Sequence, residues 1–216
     1  SAHHPRPVVE LALLRVRAFA WSNATAVLFS AAFGAGLLAA VLWLETVWGW
    51  SALKTGLAIA PGPMMVPIFT FVAQRLSGRV PAGILTAIGS SLFGIGVLMV
   101  SLSVGAQPDY VHDFLPGWLI GGVGVGFAFP TIISAATADL PTERTSTGSA
   151  IVSMSRQIGI VLGVSGLVAV LGVPHGFAGV HESFRHAWWA IVGVSALAAV
   201  TAVGMTPSKK SATLSL

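Results

Sequence analysis

The chain has 216 residues, 55% of them hydrophobic and only 8% charged, with a net charge of +4 and a pI near 10.4. Soluble domains carry roughly 25% charged residues, so a water-solvated globule of this composition is excluded. The basic residues form no patch suited to nucleic acid, and the absence of cysteine rules out a disulfide framework and thiolate metal sites.

Six nearly charge-free stretches follow one another at 18–44, 55–74, 82–104, 114–137, 146–171 and 187–205. Each is close to or longer than the ~20 residues a helix needs to cross a bilayer. Lipid offers no hydrogen bonds to backbone N–H and C=O groups, so spans must be helices or strands of a closed barrel. The strict alternation of a barrel strand is missing. The predicted fold is an all-α bundle of six transmembrane helices over 18–205, with a cytoplasmic lead-in at 1–17 and a short polar tail at 206–216.

Span one carries Asn23 near its inner end, a hydrogen-bonding group suited either to a cavity or to the interface. Glu45 lies at its outer end, either as a contact for cargo or protons or as a solvated acid. Span two contains Pro61, Pro63 and Pro67. Each proline deletes a backbone hydrogen bond and favours a kink, which serves either as a moving part or as a static bend. Span four has G-x-x-x-G spacing at Gly117/Gly121 and again at Gly122/Gly126, which lets helix backbones approach closely.

The breaks at 105–113 and 173–186 carry His112, His175, His181 and His186 beside Asp109, Asp113 and Glu182. Their spacing matches no metal-ligand pattern, so they are read as solvated loop residues and no metal site is predicted. Span five holds Arg156, the one basic residue within a span. A start near Ser146 puts it about 15 Å deep. Charge at that depth usually faces a bundle interior or a watery cavity. Ser149, Ser153, Arg156, Gly159, Gly163 and Gly166 recur at helical steps on one small, polar face, with Gln157 adjacent. The face reads as a cavity wall, and the alternative is a structural arginine bonded to helix-end carbonyls or snorkelling inward.

Charge also orients the spans. Arg6, Arg15, Arg17, Arg75, Arg79, Arg144, Lys209 and Lys210 lie on the side of both termini, and only Lys54 and Arg185 face the other. Positive charge concentrates on the cytoplasmic side, so both termini are predicted inside the cell (plasma) membrane. Trp43, Trp48, Trp50, Trp118, Trp188 and Trp189 fall near the outer ends, where an aromatic belt belongs.

Taken together the segments resemble the 14-span drug:proton antiporter branch of the major facilitator superfamily, over its carboxy-terminal six spans. Leu44-Glu45-Thr46-Val47-Trp48-Gly49-Trp50-Ser51-Ala52-Leu53, continuing to Gly56-Leu57, is similar to the family's link between spans nine and ten. Pro61-Gly62-Pro63, the glycines from Gly121 to Gly126, Thr147-Gly148-Ser149-Ala150 and Arg156-Gln157-Ile158-Gly159 resemble the spans that follow, in order. The loop Gln74–Pro81 keeps an arginine at Arg79 but has Gly78 where the family has an aspartate and Pro81 where it has a glycine.

The resemblance implies one half of a two-bundle transporter that exports amphipathic drugs or other small organic molecules by alternating access. It implies the proton gradient, rather than a cofactor, as energy source, and partners in membrane lipid and a missing amino-terminal half that carries the coupling carboxylates. Ser149, Ser153, Arg156, Gln157 and Asn23 are then the expected cavity residues, and Arg75 and Arg79, with the Pro61 and Pro63 kink, the expected gating elements. Two other classes compete. One is a self-contained six-span channel or scaffold. The other is an intramembrane serine protease of rhomboid type, because Gly163-Val164-Ser165-Gly166 matches its Gly-x-Ser-Gly motif. A serine nucleophile needs a nearby base, and span six contains no histidine.

Overall fold

The computed structural model describes residues 17–138, 140, 144–172 and 176–205. The tail at 206–216, His175 and all of the lead-in except Arg17 lie outside the described residues. The described residues form helices and short connections without strands, and six of the helical units are long and apolar enough to cross a membrane. The protein is a multi-pass helical membrane protein.

The first span is α1, Arg17–Leu42, prolonged by a π-helical turn, Trp43–Val47. Glu45 therefore sits in the last helical turn rather than in a loop. The second span is broken into α2, Ala52–Ile59, and α3, Pro61–Leu76. Ala60 between them keeps right-handed helical dihedrals, and its carbonyl still accepts from Met64 N at 3.3 Å, so the chain stays wound across the break. Then come α4, Ala82–Ser103, a π-helical turn at Tyr110–Phe114 leading into α5, Leu115–Ala138, and α6, Thr145–Leu171.

The last helix, α7, runs Gly176–Val203 and starts 11 residues before the expected boundary at 187. The extension is amphipathic: Phe184 is buried against Trp43, while Glu182 and Arg185 face outward 3.9 Å apart. Hydropathy sees only the apolar part of such a helix.

Helix α5 is central. It packs along α4 on one side and α3 on another and also touches α1, while α1 packs against α6 and α7, and α4 against α7. Glycine sets the closest of these contacts. A Cβ added at Gly89 of α4 would meet Gly124 O and Ala128 N of α5 at 2.7 Å, closer than any side chain tolerates. Gly122 and Gly126 both face α3, whereas Gly117 of the other G-x-x-x-G pair faces Gly96 of α4 and Gly121 turns toward Phe93. On the opposite flank Gly159 and Gly163 of α6 lie against the backbone of Val27 and Ala31 in α1.

Buried hydroxyls add polar ties between helices. Thr86 of α4 and Thr131 of α5 share a hydrogen bond of 2.8 Å, and Thr25 of α1 donates to Thr201 of α7 at 3.0 Å.

Candidate functional site

A cavity of about 420 Å³ opens within the bundle. Phe33 and Leu37 of α1, Pro63 and Pro67 of α3, and Phe93 of α4 line it. Trp118, Gly122 and Phe129 of α5 and Trp188 of α7 complete the wall, and α6 contributes Arg156 alone. Arg156 is the single charged residue of the lining. Its guanidinium lies 4.1 Å from the centre of the Phe129 ring. Phe129 is itself held edge-on to Phe29 and Phe33, at 5.1 and 5.4 Å between ring centres. A cation over an aromatic face is stabilised by the ring quadrupole, by ~0.5–2 kcal/mol depending on desolvation. Arg156 makes no ion pair among the described residues, and its Nε is buried with no hydrogen-bond partner.

One wall is shaped by the broken second span. Pro63 has no N–H, so the carbonyl of Ile59, four residues earlier, loses its helical donor. Trp118 of α5 supplies one: its indole Nε1 donates to Ile59 O at 2.8 Å. Tyr110 O–H donates to the neighbouring Ala58 O, also at 2.8 Å. Gly62 makes room for this arrangement, because a Cβ there would lie 2.5 Å from Trp118 Nε1. An aromatic column continues outward from Trp118 through Phe114, Tyr110, Trp50 and Trp48, with ring centres 5.2–6.0 Å apart. It ends where Trp48 Nε1 donates to Gly105 O at 2.9 Å.

Of the residues expected at a cavity wall, the structure places Arg156 there. Gln157 is exposed and outside the lining. Ser153 is exposed too, and its hydroxyl donates to Ser149 O at 2.9 Å. Ser149 shares Arg156's angular position but lies two turns, about 10 Å, further toward the start of α6. Ser153 points further round the helix. Asn23 is buried between α1 and α6 rather than in the cavity: its amide donates to Phe19 O, and its Oδ1 accepts from Ser155 O–H, both at 2.8 Å.

Pro63 lines the cavity, while Pro61 occupies the first turn of α3 outside it. Arg75 is exposed in the last turn of the same helix, 4.5 Å over the ring of Phe71, and Arg79 is exposed just beyond its end. Glu45 is half-buried at the opposite membrane end and is absent from the cavity. Sequence reasoning missed Trp118, Phe129 and Trp188 as cavity residues: the two tryptophans read as interface belt, and nothing singled out Phe129. A proline four residues after Ile59 was the available signal that some donor must approach that carbonyl.

Residues 1–164 match the profile of the Major Facilitator Superfamily. The chain belongs to that superfamily. Among curated relatives it is 31% identical over 187 residues to the uncharacterized transporter YebQ of Escherichia coli, covering 85% of this chain and 39% of that protein. It is 31% identical over 166 residues to the multidrug resistance protein Stp of Mycobacterium tuberculosis, covering 76% and 30%. It is 23% identical over 203 residues to the quinolone resistance protein NorB of Staphylococcus aureus, covering 94% and 44%. The chain therefore spans less than half the length of these relatives.

Within a facilitator bundle the Gly-x-Ser-Gly sequence has a packing explanation. Gly163 is a contact point with Ala31 of α1, and Ser165 is exposed on the same uninterrupted helix, two residues on. The superfamily consists of transporters, and the six helices with their apolar cavity are in keeping with one of its bundles.

Proposed function

We propose that these six helices form the carboxy-terminal half of an exporter of amphipathic organic compounds in the plasma membrane, with both termini cytoplasmic and proton influx as the energy source. The observation that carries this reading is the apolar cavity of about 420 Å³ with one arginine in its wall, of the size and character of a small-molecule site. Further support comes from the helices that flank it. In their most apolar stretches only 22% of the second span and 17% of the fifth are buried, against 56% for the first, third and fourth. Met64, Ile68, Met154 and Ile158 are each more than half exposed on those two flanks. They offer apolar surface to lipid and to a second six-helix bundle, and rocking of two bundles about a site between them gives alternating access.

In this mechanism the cavity holds the apolar body of the cargo, and Arg156 is its polar anchor. The break at Ala60, braced by Trp118, lets the outer half of the second span swing against α5. Arg75 and Arg79 close the cytoplasmic side by bonding carboxylates or helix-end carbonyls of the other bundle. Gly78 contributes no carboxylate there, which makes the closed gate a weak one.

The test is transport itself. In an efflux-deficient host, residues 1–216 expressed alone should confer no resistance, and co-expression with an amino-terminal six- to eight-span half should restore resistance and proton-driven dye export. Robust export by the purified 216-residue chain in proteoliposomes would overturn the half-transporter reading.

A further inference from the structure

We propose that the cavity selects amphipathic organic acids, molecules with an aromatic or aliphatic body and an anionic oxygen group, over neutral and cationic molecules of the same shape. This rests on the transporter reading above and narrows its cargo.

The charge and hydrogen-bonding inventory of the cavity is one-sided. Arg156 is the only charged residue in the lining, and no Asp or Glu accompanies it. Its guanidinium rests on Phe129, which fixes its position without neutralising it. A guanidinium has five N–H donors and no acceptor, and its fork matches a carboxylate or phosphate edge.

The donors agree. Arg156 Nε and the indole Nε1 of Trp188, a second lining residue, are both buried without a hydrogen-bond partner. The third candidate donor, Trp118 Nε1, is already committed to Ile59 O. The Arg156 and Trp188 atoms are closed off from the cavity space, which leaves the terminal N–H groups of the guanidinium as the donors for a ligand. A wall with one cation and no side-chain carboxylate favours a ligand that brings acceptor oxygens and negative charge. A lipophilic cation would instead meet the arginine's charge between apolar walls, where the repulsion is stronger than in bulk water.

The experiment uses the complete transporter carrying this chain, in lipid nanodiscs at pH 7.4. Three probes share one ring system: 1-pyrenebutyrate, 1-pyrenebutanol and 1-pyrenemethylammonium. Binding is read by tryptophan quenching and corrected for partitioning into empty nanodiscs. Pyrenebutyrate should bind at least about tenfold more tightly than the alcohol, and the ammonium more weakly than either. Arg156→Gln should bring the acid-to-alcohol ratio to within about twofold, and Arg156→Lys should keep part of it.

The wild-type ratio decides the matter even where a variant does not fold. Equal affinity for acid and alcohol, or a preference for the ammonium, overturns the proposal, as does a ratio unchanged by Arg156→Gln. Undiminished export with equal affinities would sink only this inference, whereas failure to bind or export any of the three probes would sink the transporter reading with it.

Discussion

The seam between α4 and α5 and the flank formed by α6 are both rich in glycine, yet α6 uses only part of it for helix contact. In the seam, Gly89, Gly96, Gly117 and Gly124 bring two backbones into direct contact, and a Cβ at any of them would strike main-chain atoms of the other helix. Along α6, Gly159 and Gly163 make such contacts with α1, but Gly166 has nothing within 4 Å, and bulky neighbours such as Val161, Leu162 and Val168 are more than half exposed. Lipid supplies no hydrophobic drive between helices, so close packing of small residues is a main source of cohesion. The seam is closed by backbone contact, and the flank leaves apolar surface uncovered.

The largest expected effect tests that contrast. Gly89→Leu should cost more than the ~1–3 kcal/mol usual for overpacking, because the obstacle is backbone and not a side chain that can turn aside. Loss of monodisperse protein in detergent is the expected outcome. Gly166→Leu, the same change on the flank, should leave expression and melting temperature near wild type. Similar damage from both would show that α6 is as tightly enclosed as the seam.

The second test sharpens the comparison at α3, the other sparsely buried flank. Trp118→Phe keeps the ring but removes the donor to Ile59 O, and a buried carbonyl left unpaired costs ~1–3 kcal/mol. Pro63→Ala restores an N–H four residues after Ile59. In the Pro63→Ala background, Trp118→Phe should therefore cost little, giving a coupling of about 1 kcal/mol in a double-mutant cycle of thermal stability. Additive effects would mean that the indole matters for packing alone.

What the sequence disclosed, and what it hid, follows the same division. Spans are legible because lipid forces long apolar runs into helices, and only the amphipathic start of α7 escaped, since Glu182, Arg185 and His186 lower its hydropathy while Phe184 still packs. Gly122 and Gly126 declared a helix contact by spacing alone. Arg156 was conspicuous as a charge in an apolar run. Ser149 and Ser153 were grouped with it by helical periodicity, which fixes the angle around an axis but not the depth of a cavity along it. Asn23, Trp118 and Phe129 depended on which helices become neighbours, α1 with α6, α5 with α3, and α5 with both α1 and α6, and periodicity carries no such information.

A smaller effect belongs to the polar tie between α1 and α6. Ser155→Ala removes the hydroxyl that donates to Asn23 Oδ1 at 2.8 Å. Interhelical hydrogen bonds in membranes average ~0.6 kcal/mol, and Asn23 keeps its own bond to Phe19 O. A drop in melting temperature of a few degrees at most is expected, well below that of Gly89→Leu. A collapse on the scale of the seam variant would make this single bond, and not glycine packing, the main fastening of α6.

The smallest effect lies at the loop leading into α5 and depends on pH. Asp109 caps the π-helical turn: its Oδ1 accepts from the backbone N–H of His112 at 3.1 Å, and both carboxylate oxygens lie 3.0 Å from His112 Nδ1. The backbone bond first, and the side-chain bond second, hold the Asp109 carboxyl below its usual range. An acid whose pKa is depressed in the folded state contributes stability that is fully present above the unfolded value, near ~3.9, and is lost as pH falls through the folded one. The cap should thus be intact at neutral pH and weaken only in strong acid. Protection of the His112 amide against hydrogen exchange, corrected for the intrinsic rate, should stay flat from pH 7 to about pH 5 and decline below about pH 4. Asp109→Asn, which retains an acceptor but not the charge, should show lower protection and no such decline. A wild-type amide whose protection ignores acid altogether would mean that the turn is held by its packing against Trp50 and Ala58, through Tyr110, and owes nothing to the carboxylate.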